Sequence, residues 1–193
     1  MLERDGEAGG RQHVSPRLGP LDEADRAVEV GLDIAPLRRG GVRDSQVEGL
    51  VVGIGPGSFT GLRMGLATAR ALAFSLDLPL AGVSTLDALA AGAPGAVPVI
   101  DARRSEVFTL LDGRPVVLAP ADLPVEPGRA YAGDGARRYR DVIEAGGGEV
   151  PPDDSELHLP RARFHAALAA DFGLPEAVEP MYLRVPDVDR RRQ

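Results

Sequence analysis

The sequence predicts an α/β fold, and three consecutive segments carry this prediction. Val47 to Ile54 is a short apolar run, which is typical of a strand buried on both faces. A glycine-rich turn follows it and leads into an alanine-rich helix, which Asp77-Leu78-Pro79 ends. Leu80 to Val83 predicts another strand, so the segments form a βαβ unit with a right-handed crossover.

Helical patterns are found outside this unit. Residues 14–37 are weakly helical, and Ser84 or Thr85 caps a short helix that runs through Ala91. Residues 161–172 predict an amphipathic helix. Its apolar side is expected to contain Phe164, Ala167, Leu168 and Phe172.

The second half of the chain begins after the candidate linker Gly92-Ala93-Pro94-Gly95. Residues 96–100 and 106–111 predict strands, and Asp112-Gly113 predicts a hairpin turn into a further strand. The expected domains are an amino-terminal unit, 1–95, and a carboxy-terminal unit, 96–193.

Composition excludes several kinds of chemistry. The 193 residues contain no cysteine, which excludes disulfides, thiolate nucleophiles and cysteine-ligated metal sites. All 22 basic residues are arginine, so a lysine Schiff base and a phosphate-binding lysine are excluded as well. The net charge is −7, whereas a protein that binds nucleic acid by itself usually presents a basic surface. Autonomous binding of RNA or DNA is therefore not expected.

The sequence also predicts a location. The first residues are charged and lack the apolar core of a signal peptide. The longest uncharged runs contain glycine and proline and are too short to span a bilayer. We therefore expect a cytoplasmic protein with no membrane partner.

The glycine-rich turn does not fit the common nucleotide-binding or hydrolase motifs. A Walker phosphate loop needs a lysine, and the dinucleotide-binding pattern Gly-x-Gly-x-x-Gly needs glycine where Ser58 or Thr60 stands. A Gly-x-Ser-x-Gly elbow would need glycine in place of Pro56 and Thr60. Ser58 is therefore interpreted as a helix cap rather than as a nucleophile.

Two glycines inside the predicted helix need an explanation. Gly61 and Gly65 lie four residues apart, and Thr68, Ala69 and Leu72 are expected to continue the same face. A glycine in a helix interior costs about 0.8–1 kcal/mol relative to alanine. Close approach of another backbone would explain both glycines. That backbone belongs either to the chain's own sheet or to a helix of a partner, and the spacing alone does not decide between them.

The titratable residues form no recognisable catalytic set. His13, His158 and His165 are widely separated, so a helical His-x-x-x-His metal site is absent. Asp101 precedes Arg103-Arg104, and a carboxylate there is more often a turn or salt-bridge residue than a catalytic one. The sequence therefore predicts no catalytic and no metal-binding residue.

One segment is specific enough to indicate a family: Gly53-Ile54-Gly55-Pro56-Gly57-Ser58-Phe59-Thr60-Gly61-Leu62-Arg63. It resembles the bacterial TsaB (YeaZ) family of tRNA threonylcarbamoyladenosine biosynthesis proteins. Other segments resemble the same family in the same order, so the resemblance extends over nearly the whole chain. These segments are 12–18, 82–90, 101–108 and 180–184.

This resemblance implies a two-lobed fold in which each lobe is related to ribonuclease H, as in the actin, sugar kinase and Hsp70 superfamily. It also implies a subunit that performs no chemistry and that binds and activates a TsaD-type transferase. That partner, with a TsaE-type ATPase, transfers a threonylcarbamoyl group to adenine 37 of tRNA, so this chain would contact tRNA only indirectly. No cofactor of its own is expected, because ATP or ADP and the metal would belong to the partner subunits. The transferase carries a His-x-x-x-His pair, which this sequence lacks.

The resemblance favours the partner helix as the reason for the two glycines. In the family, the first two helices pack against the matching helices of the transferase. The expected partner-binding residues are therefore His13, Arg17, Leu18, Gly57, Ser58, Phe59, Thr60, Gly61, Arg63, Met64, Gly65 and Thr68. Two alternatives stay open: a peptidase or nucleotide hydrolase of the same superfamily, and a homodimeric binding module that pairs through the glycine face.

The amino end departs from the family pattern. Family members begin with a strand hairpin that contains an Asp-Thr-Ser-like turn, whereas Met1 stands after the corresponding position. The resemblance therefore implies a first lobe truncated at its amino end. The cause would be either a start codon further upstream or a trimmed variant.

Overall fold

A three-stranded parallel sheet begins the fold in the computed structural model, which describes residues 47–183 and the backbone of Val28–Glu29. Its strands are β1, Val28–Glu29, β2, Leu50–Gly55, and β3, Leu80–Ser84, in the spatial order β1-β2-β3. Helix α1, Phe59–Leu76, connects β2 to β3. The predicted βαβ unit is therefore confirmed.

Local signals set both ends of α1. Ser58 precedes the helix, and its hydroxyl oxygen accepts the amide N–H of Gly61 at 3.4 Å, as a capping residue should. Asp77 ends the helix in the left-handed conformation, with φ of 51°. The amide of Leu78 then donates to the carbonyl of Ala73 at 2.9 Å, which closes the last turn.

The later strands build a second sheet in the order β6-β5-β4-β7. They are β4, Val97–Arg103, β5, Glu106–Leu111, β6, Arg114–Leu118, and β7, Tyr131–Ala132. The first three form an antiparallel meander, whereas β7 pairs with β4 in parallel. Asp112 and Gly113 join β5 to β6 with φ of 49° and 73°, and this left-handed pair is what a tight hairpin needs. The predicted hairpin turn is confirmed.

Shorter helices follow the strands. Helix α2, Thr85–Gly92, begins after Ser84, whose hydroxyl accepts the amide of Asp87 at 3.3 Å. The others are α3, Asp134–Arg138, α4, Arg140–Ala145, and α5, Ala162–Leu168, with 3₁₀ turns at Pro120–Asp122, Glu156–His158 and Pro175–Ala177. Within the described residues, no helix is both long and apolar enough to cross a membrane.

Buried side chains form three clusters. The first lies between α1 and the strands β2 and β3 and includes Leu66. The second lies at the second sheet and includes Tyr131 and Ile143. The third joins Leu86 of α2 to Phe108 of β5, so it contains residues from both sides of position 95. The domain boundary at that position stays a prediction.

Residues 173–183, which we call the strap, tie the end of the described chain to the first sheet. Gly173 forms an antiparallel bridge with Leu80 of β3, with N···O distances of 3.0 and 3.1 Å. Further along, the amide of Met181 donates to the carbonyl of Ile54 in β2 at 2.7 Å. Both ends of the strap are therefore held by backbone hydrogen bonds.

The helix expected over residues 161–172 is shorter than predicted. It ends at Leu168, so Phe172 lies outside it, and the expected four-residue apolar side is wrong at this position. The reason is the bridge between Gly173 and Leu80, because a backbone that pairs with a strand cannot also continue a helix. The ring of Phe172 instead lies beside Gly49, where a Cβ atom would stand 3.0 Å from it.

The weakly helical prediction for residues 14–37 is wrong at Val28–Glu29, which is a strand. These two residues pair with Leu50 and Val51 in a parallel ladder, and the backbone hydrogen bonds of that ladder replace those of a helix. The rest of this prediction, and the segment 12–18 that resembles the first helix of the family, lie outside the described residues.

Gly133 gives a test of this packing. Its φ is 121°, and a Cβ atom built there would lie 2.1 Å from the carbonyl oxygen of Val99. We expect Gly133→Ala to lower the free energy of unfolding by about 3 kcal/mol, because strain and overlap add. Gly128→Ala is the matched control, since Gly128 has φ of 74° but open space around it. In the control, the free energy of unfolding should fall by only about 1–2 kcal/mol, which is the cost of holding an alanine in the left-handed conformation. Equal losses in denaturant unfolding would contradict the packing.

Candidate functional site

Helix α1 has three sides with different environments. Its core side contains Leu66 and Ala69 and packs on the first sheet. Its strap side contains Arg63 and Arg70. The open side, which faces solvent, contains Gly61, Met64, Gly65, Thr68, Ala71 and Ser75.

The expected glycine face is wrong for Ala69, which is buried in the first core cluster. Leu72 lies about 20° from Gly61 around the helix, as expected, and is half-buried, because its side chain also packs against that cluster. Eight residues along an α-helix leave Ala69 about 80° from Gly61, which is enough to reach the sheet. Thr68 is exposed, as expected for a residue that continues the side of Gly61.

The two helix glycines have no packing role within the described part of the chain. A Cβ atom on Gly65 would meet nothing within 4 Å, and one on Gly61 would meet only Ser58, at 3.6 Å. Within the described residues, the chain's own sheet therefore does not require these glycines, so the first of the two explanations is wrong. The second explanation, a helix of a partner, stays a prediction.

Charge is absent from the open side. The charged residues of α1 are Arg63 and Arg70, and both lie on the strap side. A surface helix normally carries charged or polar residues on its solvent face. Here that face contains small residues and Met64, whose side chain is 51% exposed. Depletion of charge with an exposed methionine is typical of the core of a protein interface.

Arg70 joins α1 to the strap. Its guanidinium donates to the carbonyl oxygens of Glu176, at 3.4 Å, and of Val178. These bonds satisfy carbonyls at the end of a 3₁₀ turn, and they hold the strap along one side of the helix. Val178 also packs against the first core cluster.

An aromatic and arginine cluster lies at the first turn of α1. The rings of Phe59 and Tyr182 have centroids 5.5 Å apart and are inclined by 37°. The guanidinium of Arg63 lies 3.9 Å above the centre of the Phe59 ring, and its Nε donates to the Tyr182 hydroxyl at 3.2 Å. Phe59 and Tyr182 are each 42% exposed, so the cluster is visible to solvent.

A cleft of about 980 Å³ opens between this turn and the second sheet. The turn Gly57–Gly61 forms one wall, and the end of β4 with Asp134 forms another. Apolar side chains at its floor include Leu89, Ile100 and Phe108. Asp101 and His158 are the buried titratable residues in its lining.

Asp101 is a structural salt-bridge residue. Its side chain is 4% exposed and lies 3.2 Å from the Arg103 guanidinium and 3.4 Å from that of Arg138. It also accepts the amide of Arg103 at 2.9 Å, and this bond supports three consecutive left-handed residues, 103–105, with φ of 63°, 53° and 58°. The salt-bridge interpretation of Asp101 is therefore confirmed.

His158 is held by backbone groups alone. It is 3% exposed, and its Nδ1 accepts the amide of Gly133 at 3.0 Å. Its Nε2 lies 3.1 Å from the carbonyl oxygen of Pro152, so both ring nitrogens have backbone partners. Among the residues that the structure describes, no group of three or more potential metal ligands occurs.

Arg140 holds the loop of residues 150–153, which also contains the Pro152 carbonyl that contacts His158. It donates to the carbonyl oxygens of Val150 and Pro151, each at 2.7 Å, and to the carboxylate of Asp153 at 2.6 Å. The hydrogen bond from Arg140 lowers the pKa of the Asp153 carboxyl below its usual value. The only local signal for this clamp was Glu144, four residues after Arg140, which also accepts from it.

Comparison with known proteins agrees with this architecture. A family model described as TsaD: tRNA N6-adenosine threonylcarbamoyltransferase matches residues 35–127. An uncharacterized protein of Mycobacterium tuberculosis is 36% identical over 161 residues, which cover 80% of this chain and 72% of that protein. The tRNA threonylcarbamoyladenosine biosynthesis protein TsaB of Escherichia coli is 41% identical over 97 residues, which cover 47% of this chain and 41% of that protein.

A solved structure decides the family. YeaZ from Pseudomonas aeruginosa is 30% identical to this chain and aligns with a TM-score of 0.59. The alignment covers 76% of this chain and 79% of that one. The chain belongs to the TsaB (YeaZ) family. Its mixed α/β architecture is likewise similar to that of YeaZ.

The partner-binding residues expected from the TsaB resemblance fall into separate places. His13, Arg17 and Leu18 lie outside the described residues. The open side of α1 holds Gly61, Met64, Gly65 and Thr68, whereas Phe59 and Arg63 lie on the strap side. Gly57, Ser58 and Thr60 lie in the turn and first residues of the helix. Their role in binding stays a prediction.

Sequence reasoning missed Tyr182 as a member of this site. Its hydroxyl meets Arg63 across 119 positions of sequence, and no local pattern marks such a contact. The segment 180–184 resembles the closing stretch of TsaB proteins, but that resemblance says nothing about which helix it meets.

The Arg140 clamp predicts a pH dependence. Because the folded-state pKa of Asp153 is lowered, this carboxylate stabilises the fold above its unfolded pKa of about 3.9. That contribution is lost as the pH falls through the lower folded-state pKa. We expect the difference in melting temperature between the unmodified chain and Arg140→Gln to narrow as the pH falls below about 4.

Asp153→Asn isolates the titrating group, because Arg140 keeps its bonds to the two carbonyls. In this background, the effect of Arg140→Gln on the melting temperature should depend less on pH. A difference that stays constant from neutral to acidic pH in both backgrounds would contradict the clamp.

Proposed function

We propose that this TsaB-family chain is a non-catalytic subunit that binds and activates a TsaD-type transferase in the threonylcarbamoylation of adenine 37 of tRNA. The observation that carries the proposal is the open side of α1. It contains two glycines without a packing role in the described part of the chain, Gly61 in the first turn and Gly65 in the helix interior, and it carries no charge. A partner helix that lies close against this side would account for both features.

The similarity between this chain and a TsaD-type subunit supports a pseudo-symmetric pairing of the two proteins. The family model that matches residues 35–127 is the TsaD model, and this range includes β2, α1 and β3. A TsaD-type partner would therefore present a helix that corresponds to α1. Two similar helices can pack against each other through the same surface, as the subunits of a symmetric dimer do. The same reasoning gives the chain a way to form a homodimer when it is alone.

The polar groups of the cleft support a non-catalytic role. Asp101 is occupied by two guanidinium groups and an amide, and both nitrogens of His158 have backbone partners. A general acid or base needs a group that can meet the substrate, and these two groups are already engaged. A peptidase or hydrolase function is the less favoured alternative for this reason.

In this proposal the chain has a ribonuclease H-like fold of two lobes that meet near position 95. The two separate sheets and the similarity to YeaZ support this fold. ATP or ADP and the metal would belong to the TsaD-type and TsaE-type subunits, in the cytoplasm. The chain would contact tRNA through its partner, in keeping with its net charge of −7.

Gly65→Arg tests the proposed interface. Nothing in the described chain lies within 4 Å of a Cβ atom at this position, and arginine is a better helix former than glycine, so the monomer should fold with a melting temperature that is not lowered. A long charged side chain on the open side would hold the partner helix away, and we expect the complex with the TsaD-type subunit to be lost. Light scattering and co-purification of the two subunits measure this.

Two further variants serve as controls. Ala145→Arg places the same side chain on α4, at an exposed position away from α1, and should leave the complex intact. Gly65→Ala should stabilise the monomer by about 0.8–1 kcal/mol, since alanine is the better helix former. A normal yield of complex from Gly65→Arg would count against the proposed function.

A further inference from the structure

We infer that Tyr182 belongs to the partner-binding surface: the strap places its ring at the first turn of α1, where Phe59, Arg63 and Tyr182 form a second contact patch. We call these three residues the aromatic patch. Its occupant would be a segment of the same TsaD-type subunit, with a carboxylate for the guanidinium and an apolar group for the rings. This inference rests on the proposed function.

The strap holds Tyr182 in place through its two neighbours. The amide of Met181 is bonded to the carbonyl of Ile54 in β2, at 2.7 Å. Leu183 packs against the third core cluster, which contains Leu86 of α2. The backbone at Tyr182 is therefore fixed on both sides, and its ring reaches α1 from an anchored position.

The patch is organised before any partner arrives. Arg63 is held by the Phe59 ring, 3.9 Å below its guanidinium, and by the Tyr182 hydroxyl, 3.2 Å from its Nε. Ordering a long side chain on binding costs about 0.5–1.5 kcal/mol, and a side chain already held avoids much of that cost. Tyrosine and arginine are also the residues that most often dominate the energy of protein interfaces.

The fold gains little from this cluster, which points to a role in binding. Both rings remain 42% exposed, and an exposed cation–π contact contributes about 0.5–1 kcal/mol. Among the described residues, no carboxylate pairs with Arg63, whereas Arg103, Arg138 and Arg140 each have one. An exposed, fixed guanidinium between two rings is suited to a carboxylate from another chain.

The aromatic patch is continuous with the open side of α1. Phe59, Thr60 and Gly61 are consecutive, so the two surfaces meet at the first turn of the helix. A subunit that packs along the open side would reach the aromatic patch by extending around this end. The proposed interface therefore includes both α1 and the strap.

The test measures the dissociation constant for the TsaD-type subunit by calorimetry. Tyr182→Ala and Arg63→Met should each raise it about tenfold, and Tyr182→Phe, which keeps the ring, should raise it less. Arg163→Met is the matched control, because it removes a guanidinium that lies 4.7 Å above the Phe164 ring on α5. This control should leave the dissociation constant unchanged.

Coupling and salt dependence separate a binding role from a structural one. In the Tyr182→Ala background, Arg63→Met should have a smaller effect than in the unmodified chain, because Tyr182 no longer holds the guanidinium. Arg63→Met should also weaken the dependence of binding on ionic strength, since it removes one charged contact. The melting temperature of each variant shows whether it folds. If Tyr182→Ala does not fold, the dissociation constants of Tyr182→Phe and Arg63→Met provide the test.

The outcomes distinguish this inference from the proposed function. If Gly65→Arg abolishes the complex while the variants of the aromatic patch bind within twofold of the unmodified chain, the inference is overturned and the proposed function stands. If the unmodified chain does not bind the TsaD-type subunit, the proposed function fails and the inference fails with it.

Discussion

The rotation of α1 about its own axis determines both surfaces through which the chain would bind a partner. Leu66, Ala69 and Ala73 turn toward β2 and β3, and the two alanines let the helix lie close to the sheet. Once this side is buried, the helical repeat directs Gly61 and Thr68 to solvent and Arg63 to the strap. A rotation of one residue would bury a glycine and expose the core, so the packing of α1 determines the position of the proposed interface as well as the fold.

The distribution of satisfied and unsatisfied groups separates the interior of the cleft from its rim. Inside the cleft, the side chains of Asp101 and His158 form their hydrogen bonds and ion pairs with groups of their own chain. On α1 and the strap, by contrast, apolar surface and one charge remain available for contacts with another chain. They belong to the glycines, a methionine, two exposed rings and the Arg63 guanidinium. This contrast supports the proposed role in binding a partner subunit. The strap contributes to both regions, because Leu183 packs against the third core cluster and Tyr182 contacts the exposed first turn of α1.

Local patterns predicted several elements of the fold but not the long-range contacts between them. The βαβ unit, the Ser58 cap and the Asp112-Gly113 hairpin depend on neighbouring residues, and the sequence predicted them. For α2 it left Ser84 and Thr85 as alternative caps, and the structure has Ser84. Phe172 was placed in a helix because its spacing fits one, but the bridge to a strand far away in sequence ends that helix early. Ala69 was assigned to the glycine face for a similar reason, since alanine suits both a core and an interface. Tyr182 and the Arg140 clamp are long-range contacts that periodicity does not reveal.

The formation of threonylcarbamoyladenosine at position 37 of tRNA tests the central claim most directly. The TsaD-type and TsaE-type subunits, with the remaining components of the reaction, would be assayed without this chain, with it, and with Gly65→Arg. The proposed role requires modification only with the unmodified chain, and loss of modification with Gly65→Arg although that variant is folded. The same modification rate in the absence of the chain would contradict the claim.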